Sequence, residues 1–308
     1  MKDYSYAVQP AINKELTKMF QTYQALVFVK QSDIPTNAIF YRLFLFLKLK
    51  FLPDHTFERM SARLCAMETS INVIDTNTDT AYAATGDHHL FLLTVATVLA
   101  ATIHGGYLHL VELLRYDIPA AFLQGLLTPE NCPRPLYGRL PSDLPPDFKD
   151  RYVKFNKGIY GTKVANRIFD LDHTATLRSM GYETFIGDER KFLWTCPSNP
   201  ILKVIINTHV DDGGVILTCK RKYEETLHYL NLRYPGDLDV SSMNRYLGMG
   251  FDFNPRTGSL TVSMLHSVLK LLATCCTETL PPQRTPYTKD LFDTTTDPHR
   301  SIKSITNR

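Results

Sequence analysis

Three aspartates hold the chemistry that this sequence can do. Asp211 and Asp212 sit in the stretch ILKVIINTHVDDGGVILT, residues 201–218, between the apolar β-branched runs 202–206 and 215–217. Periodicity and turn chemistry predict a β-hairpin here, with its tip at the Asp and Gly residues. Two carboxylates at the end of a buried hairpin suit a divalent cation, because hard cations take oxygen ligands. The same residues would equally serve an ordinary Asp-Gly turn without chemistry. Asp117 is the third acid. It closes a strand expected over residues 107–116, and Pro119 forbids a central strand further on. An acid at a strand end suits a ligand, and it also suits a helix cap.

The elements around these acids must bring them together. The spacing of Ile12, Leu16, Met19, Phe20 and Tyr23 predicts an amphipathic helix over residues 11–26. Residues 38–52 read as a strand carrying Lys48 and Lys50. After a turn at 53–56, residues 57–67 return as a second strand with Arg59 and Arg63. Lys50, Arg59 and Arg63 can share one face of that hairpin, either as a solvated sheet face or as a cationic surface that holds a triphosphate. A polar loop at 75–79 precedes Asp87, which is placed to cap a helix running to about His104 and ended by Gly105-Gly106. His88, His89 and His104 read as cap, loop or surface residues rather than metal ligands. The Pro-rich residues 128–150 predict an extended loop.

Lys157-Gly158-Ile159-Tyr160-Gly161 then leads into a helix from about 162 to 180, on which Lys163 and Arg167 share a face. Two strands are expected around 182–194 before the acid hairpin, and a helix from Lys220 to Tyr234 after it. Residues 245–251, a turn at 254–258, a returning strand at 259–264, a helix at 266–275 and a polar end complete the chain.

Composition narrows the class. At 308 residues, 44% hydrophobic and 21% charged, the chain is long enough for a full core divided over two or three subdomains. A net charge of +3 and a pI near 8.4 give no overwhelming basic field, so a nucleic-acid partner would have to be gripped by a local groove. Cys65, Cys132, Cys196, Cys219, Cys275 and Cys276 have no Cys-x-x-Cys spacing and no paired His, which argues against zinc and against a disulfide framework, and for a reducing compartment. Residues 90–103 are too few, and too rich in Thr, to span a bilayer, and Lys2, Asp3 and Tyr4 do not begin a signal peptide. A soluble, intracellular protein without a membrane partner is expected.

Several stretches, taken in order, resemble the reverse transcriptase of copia-type LTR retrotransposons. Ser61-Ala62-Arg63-Leu64 is similar to that family's Lys-Ala-Arg-Leu segment, and YDIPAAFLQGLL (116–127) to its Asp-Val-x-x-Ala-Phe-Leu-x-Gly-x-Leu block. LYGRLP (136–141) falls where the family has Tyr-Met-x-x-Pro. KGIYGTKVANRIF (157–169) resembles its Ser-Leu-Tyr-Gly-Leu-Lys-Gln-x-Pro-Arg-x-Trp block, and HVDD (209–212) its Tyr-Val-Asp-Asp. RYLGMGFDF (245–253) is similar to its Tyr-Phe-Leu-Gly-Ile-x-Ile strand, and Thr285-Pro286 to the Thr-Pro that ends the domain. The resemblance covers roughly residues 34–291. Each motif alone is weak; their shared order is the stronger signal. The chain departs from the family at His209 (Tyr there), Val164 (Gln), Asn166 (Pro) and Phe169 (Trp). The family's RNase H, integrase and protease regions have no counterpart in these 308 residues.

The fold that this resemblance implies is α+β, a polymerase right hand within residues 1–290. Its fingers would be about 30–85 and 125–155. The palm, an antiparallel sheet with helices, would be about 86–124 and 156–252. A partial thumb or connection would start over about 253–290, followed by a polar tail at 291–308. The implied activity is RNA-directed DNA polymerisation on an RNA template, from a DNA or tRNA primer, with deoxynucleoside triphosphates and a hybrid duplex as product. The implied setting is a cytoplasmic retrotransposon particle or the nucleus.

Two like charges about 4 Å apart cost roughly 4 kcal/mol at an effective dielectric near 20, so Asp211 and Asp212 facing Asp117 would suit two Mg²⁺ ions, with Mn²⁺ as a substitute. Asp117 and Asp211 would bridge the ions, with Asp212 and the Ile118 backbone completing the site. One ion would lower the pKa of the primer 3′-OH and the other would hold the incoming triphosphate. Arg63, then Lys50, would hold that triphosphate too, and the backbone N–H groups after Asp117 would add donors. Phe122 would pack against the sugar and exclude a ribose 2′-OH, a role compatible with plain core packing. Lys163, Arg167 and His209 would lie near template or primer, and Tyr246, Leu247, Gly248 and Met249 would grip the primer. Two alternatives remain: a degenerate, non-catalytic remnant that still binds nucleic acid, and a structural protein with fortuitous acids.

Overall fold

The computed structural model describes residues 4–52, 56–67, 87–142, 144, 148, 151–185 and 187–275. The turn at 53–55, the polar loop at 75–79, Pro145, Pro146, Thr285-Pro286 and the tail at 291–308 lie outside the described residues. The chain forms two units, Met1–Val262 and Ser263–Arg308. The fold is α+β, with three sheets and five α-helices among the described residues. No helix among those residues is long and apolar enough to cross a membrane.

The first sheet of unit 1 is built on the long hairpin β2 (Ile39–Phe51) and β3 (Phe57–Met67), in the order β1-β6-β5-β2-β3. β1 (Leu26–Val29), β5 (Leu136–Arg139) and β6 (Tyr152–Phe155) are four residues each. β5 runs parallel to β2 and the other pairings are antiparallel. Helix α1 (Val8–Thr17) covers this sheet by burying Ile12 and Leu16 with Leu43 and Leu64. The helix expected over 11–26 therefore starts earlier and stops sooner. Its apolar spacing continues through a π-helical turn at Lys18–Thr22 and then into β1, and periodicity does not separate these. The Pro-rich stretch 128–150 also contains a strand, β5, between its prolines.

The second sheet carries the acids. Its order is β11-β4-β10-β9-β8-β7, antiparallel throughout, with β4 Glu112–Asp117, β7 Glu183–Phe185, β8 Asp188–Cys196, β9 Asn199–His209, β10 Asp212–Leu217 and β11 Asp239–Ser242. Both faces are covered, which is why consecutive residues are apolar at Val204, Ile205 and Ile206 of β9 and at Val215, Ile216 and Leu217 of β10. Val204, Ile206, Val215 and Leu217 pack with helices α3 (Lys163–Ser179) and α4 (Lys220–Arg233). Ile205 and Ile216 face the other way, onto Phe91, Val95 and Leu99 of α2 (His88–His104). Asp87 caps α2 by accepting from the N–H groups of His89 and Leu90. The strand expected from 107 begins at Glu112, because Leu108–Leu110 form a 3-10 turn.

A third sheet follows, β12 (Arg245–Tyr246), β13 (Met249–Asn254) and β14 (Ser259–Ser263). The second unit contains helix α5 (Leu265–Cys275) among its described residues.

Candidate metal centre and adjoining cavity

Strand register places the acids. Asp212, the first residue of β10, pairs with Asp117, the last of β4, on one side and with His209 on the other. The hairpin turn is therefore Val210-Asp211. This corrects the expectation that the tip lies at the Asp and Gly residues. Val210 has φ 60°, a left-handed conformation that is costly for a β-branched residue and that marks a constrained turn. The Asp211 carbonyl accepts from the Ile118 N–H at 2.9 Å, fastening the turn to the end of β4.

Gly213 and Gly214 lie inside β10 and serve packing. A Cβ on Gly213 would come within 2.2 Å of the Tyr116 ring, and one on Gly214 within 2.6 Å of the Tyr246 ring. Both rings are buried against the strand.

One ligand atom from each of Asp117, Asp211 and Asp212 lies within 4.8 Å of the others. All three side chains are half-buried. Burial first, and then repulsion from Asp211 and Asp212, raises the Asp117 carboxyl to a pKa of about 6, while Arg115 opposes the shift. Asp212 is also raised, by burial and then by Asp211. Three close carboxylates, with Asp117 and Asp212 raised by burial and by neighbouring carboxylates, are a donor set that fits a hard divalent cation, whose charge would relieve both effects.

Asp117, Asp211 and Ile118 open onto a cavity of about 370 Å³. Five cationic side chains also line it, and Glu15 lies among them. Lys50 and Arg59 are direct partners across the β2–β3 hairpin, and Arg63 lies further along β3 on the same face. Arg63 also lies over the Tyr160 ring, 5.3 Å from its centroid, and Phe122 meets that ring edge-on at 5.8 Å.

Sequence reasoning missed Lys14, Lys18 and Tyr160 in this lining. Lys18 lies 3.3 Å from the Tyr160 hydroxyl, and burial lowers its pKa. The four-residue spacing of Lys14 and Lys18 was the available signal. Gly161 fixes the approach of this loop: with φ 87°, a Cβ there would lie 2.2 Å from the Ala66 carbonyl oxygen.

Asp212 faces a neighbouring depression with Arg115, Ser241, Tyr246, Leu247 and Gly248. Tyr246 and Met249 are themselves buried. The Tyr246 hydroxyl donates to the Asn207 carbonyl at 2.7 Å, leaving Leu247 and Gly248 at the turn between β12 and β13. His209 stands beside His88, with ring centroids 5.9 Å apart, and its Nδ1 is buried without a hydrogen-bond partner among the described residues. Lys163 and Arg167 line neither the cavity nor the depression, and Arg167 lies 3.8 Å from Asp170. The Ile118 N–H is engaged by Asp211, so this first donor after Asp117 is not free for a phosphate.

No family model and no curated protein matches the sequence. Among solved structures, telomerase from Candida albicans in complex with a TWJ fragment of telomeric RNA is similar over 87% of this chain, at 8% identity and a TM-score of 0.45. The chain spans about half of that telomerase chain (53%).

Proposed function

We propose that this chain is an RNA-directed DNA polymerase of the copia-type retrotransposon class, extending a primer on an RNA template with deoxynucleoside triphosphates. One observation carries the reading. Asp117, from a strand end, and Asp211 and Asp212, from a distant hairpin, converge within 4.8 Å, and Asp117 and Asp211 line a cavity that Lys50, Arg59 and Arg63 also line. Acids and cations lining one cavity suit a triphosphate and its metal ions. The ordered motifs named above supply the family.

In this reading the two sheets are fingers and palm of a right hand, and the start of a thumb or connection follows from about residue 253. Asp117 and Asp211 would hold two Mg²⁺ ions, or Mn²⁺, with Asp212 and the Ile118 backbone completing the set. Bound divalent cations would supply charge neutralisation at the reacting oxygens. Arg63 and Lys50 bind the triphosphate by charge, and Phe122, braced by Tyr160, lies against the sugar. Leu247 and Gly248, presented by the buried Tyr246 and Met249, support the primer near His209. Lys163 and Arg167 belong to a template path outside the cavity. The implied setting is a retrotransposon particle in the cytoplasm, or the nucleus.

Primer extension on an RNA template with deoxynucleotides and Mg²⁺ tests this. Incorporation that Asp211→Asn abolishes is expected, and incorporation that survives Asp211→Asn removes the assigned role. The second reading, a binding remnant, is favoured by one feature. Val164, at the family's Gln position, is buried in the first core and offers no polar contact to substrate. It predicts salt-dependent binding of primer–template without incorporation by the intact sequence.

A further inference from the structure

The acid cluster carries its own counter-charge. Arg115 precedes Asp117 by two residues and projects from the same face of β4. Its Nε donates to the Ser241 hydroxyl at 3.0 Å and its Nη2 to the Asp239 carboxylate at 3.0 Å, while Nη1 lies 3.9 Å from Asp212. Register explains the convergence. Asp117 has Asp239 opposite it on β11 and Asp212 opposite it on β10, and Ser241 pairs with Arg115. The contacts to β11 are hydrogen bonds of ordinary length; the approach to Asp212 is too long for one and acts through charge alone. A guanidinium pinned to one edge strand thus faces a carboxylate that it does not bond. The three acids are also unequal in setting, since Asp117 and Asp211 line the main cavity and Asp212 shares the neighbouring depression with Arg115.

We propose that Arg115 is a resident counter-cation for Asp212, held in place by Asp239 and Ser241, and that a divalent ion must compete with it on that side of the cluster. The proposal rests on reading the three acids as cation ligands. Arg115 is felt by Asp117 as well, but its approach within 4 Å is to Asp212. Asp239 acts chiefly through Arg115, as a positioning residue, and its own charge on Asp117 and Asp212 is the smallest of the named influences there. The cluster's affinity is therefore set below what three carboxylates alone would give, and the setting is adjustable from β11.

The test is Mn²⁺ binding to the full chain at constant pH, read from the spin-resonance signal of free Mn²⁺ without nucleotide or primer. Arg115→Gln is expected to bind Mn²⁺ about tenfold more tightly, because a positive charge close to the site is gone. Asp239→Asn is expected to bind several-fold more weakly in the native background and within about twofold of its parent in the Arg115→Gln background, as non-additivity through Arg115 requires. If the wild type binds Mn²⁺ in an Asp211-dependent way and Arg115→Gln binds no more tightly, this inference is overturned while the cation-site reading stands. Should Arg115→Gln fail to fold, Asp239→Asn decides, and an unchanged affinity there overturns the proposal. If neither wild type nor Arg115→Gln takes up Mn²⁺, the cation-site reading and the inference fall together.

Discussion

Removing a charge from the acid cluster should make the ion-free protein more stable and the cation-bound protein less so. Asp117→Asn is the cleanest perturbation, since Asn keeps the shape of the side chain and removes only the charge. Asp117 faces both Asp211 and Asp212, with ligand atoms inside 4.8 Å. Two unit charges at that distance repel by about 3.5 kcal/mol at an effective dielectric near 20. Two such pairs would sum to more, but Arg115 offsets part of it and the half-exposed carboxylates are screened by water.

A net gain of about 1–2 kcal/mol for Asp117→Asn remains, or several degrees in melting midpoint for a domain of this size. Chemical denaturation at pH 7.5 in the presence of a chelator measures it. Adding Mg²⁺ should then reverse the order. Wild type gains about 2.7 kcal/mol once the ion is a hundredfold above its dissociation constant, and the variant, one ligand short, gains less. A variant that is less stable than wild type under chelation would refute the electrostatic account. Parallel responses to Mg²⁺ would refute the cation site itself.

Two further outcomes follow from the core beneath the acids. His173 is fully buried, with Nε2 3.0 Å from the Tyr116 hydroxyl and Nδ1 3.3 Å from that of Tyr234, and burial, then Arg190, lowers its pKa to about 3. The neutral ring's contribution is complete above the unfolded value near 6.5 and is lost at about 1.4 kcal/mol per pH unit as pH falls towards 3, because only the unfolded chain takes up the proton. His173→Phe should flatten the acid limb of a stability–pH curve between pH 6 and 4, and an unchanged slope would disprove the assignment. Gly213→Ala should cost about 3 kcal/mol in denaturant unfolding, at the upper end for overpacking, because the Tyr116 ring it strikes is buried and tied to His173. A cost below about 0.5 kcal/mol would mean that the ring can move aside.

What could be read from the sequence is what neighbours along the chain decide. The β9–β10 hairpin, the β2–β3 hairpin and the helices over 88–104, 163–179 and 220–233 announce themselves through periodicity and local caps. The Val210-Asp211 turn did not. Asp-Gly is the familiar turn pair, and the reason the glycines are needed in the strand lies on Tyr116 and Tyr246, far away in sequence. The four-residue strands β1, β5, β6 and β11 were equally hidden, because they form by pairing with strands far away in sequence rather than by their own alternation.

β11 is the instructive case. Its residues Asp239, Ser241 and Ser242 have little strand character, and it forms by pairing with the edge of β4. That pairing puts Asp239 and Ser241 under the Arg115 guanidinium. A slip of one residue would turn both side chains to the opposite face and leave Arg115 free to close on Asp212. The electrostatics of the acid cluster are thus a property of strand register. The carboxylates can be named from three letters of sequence, but the charge that balances them can be found only once the edge strand has been laid beside them.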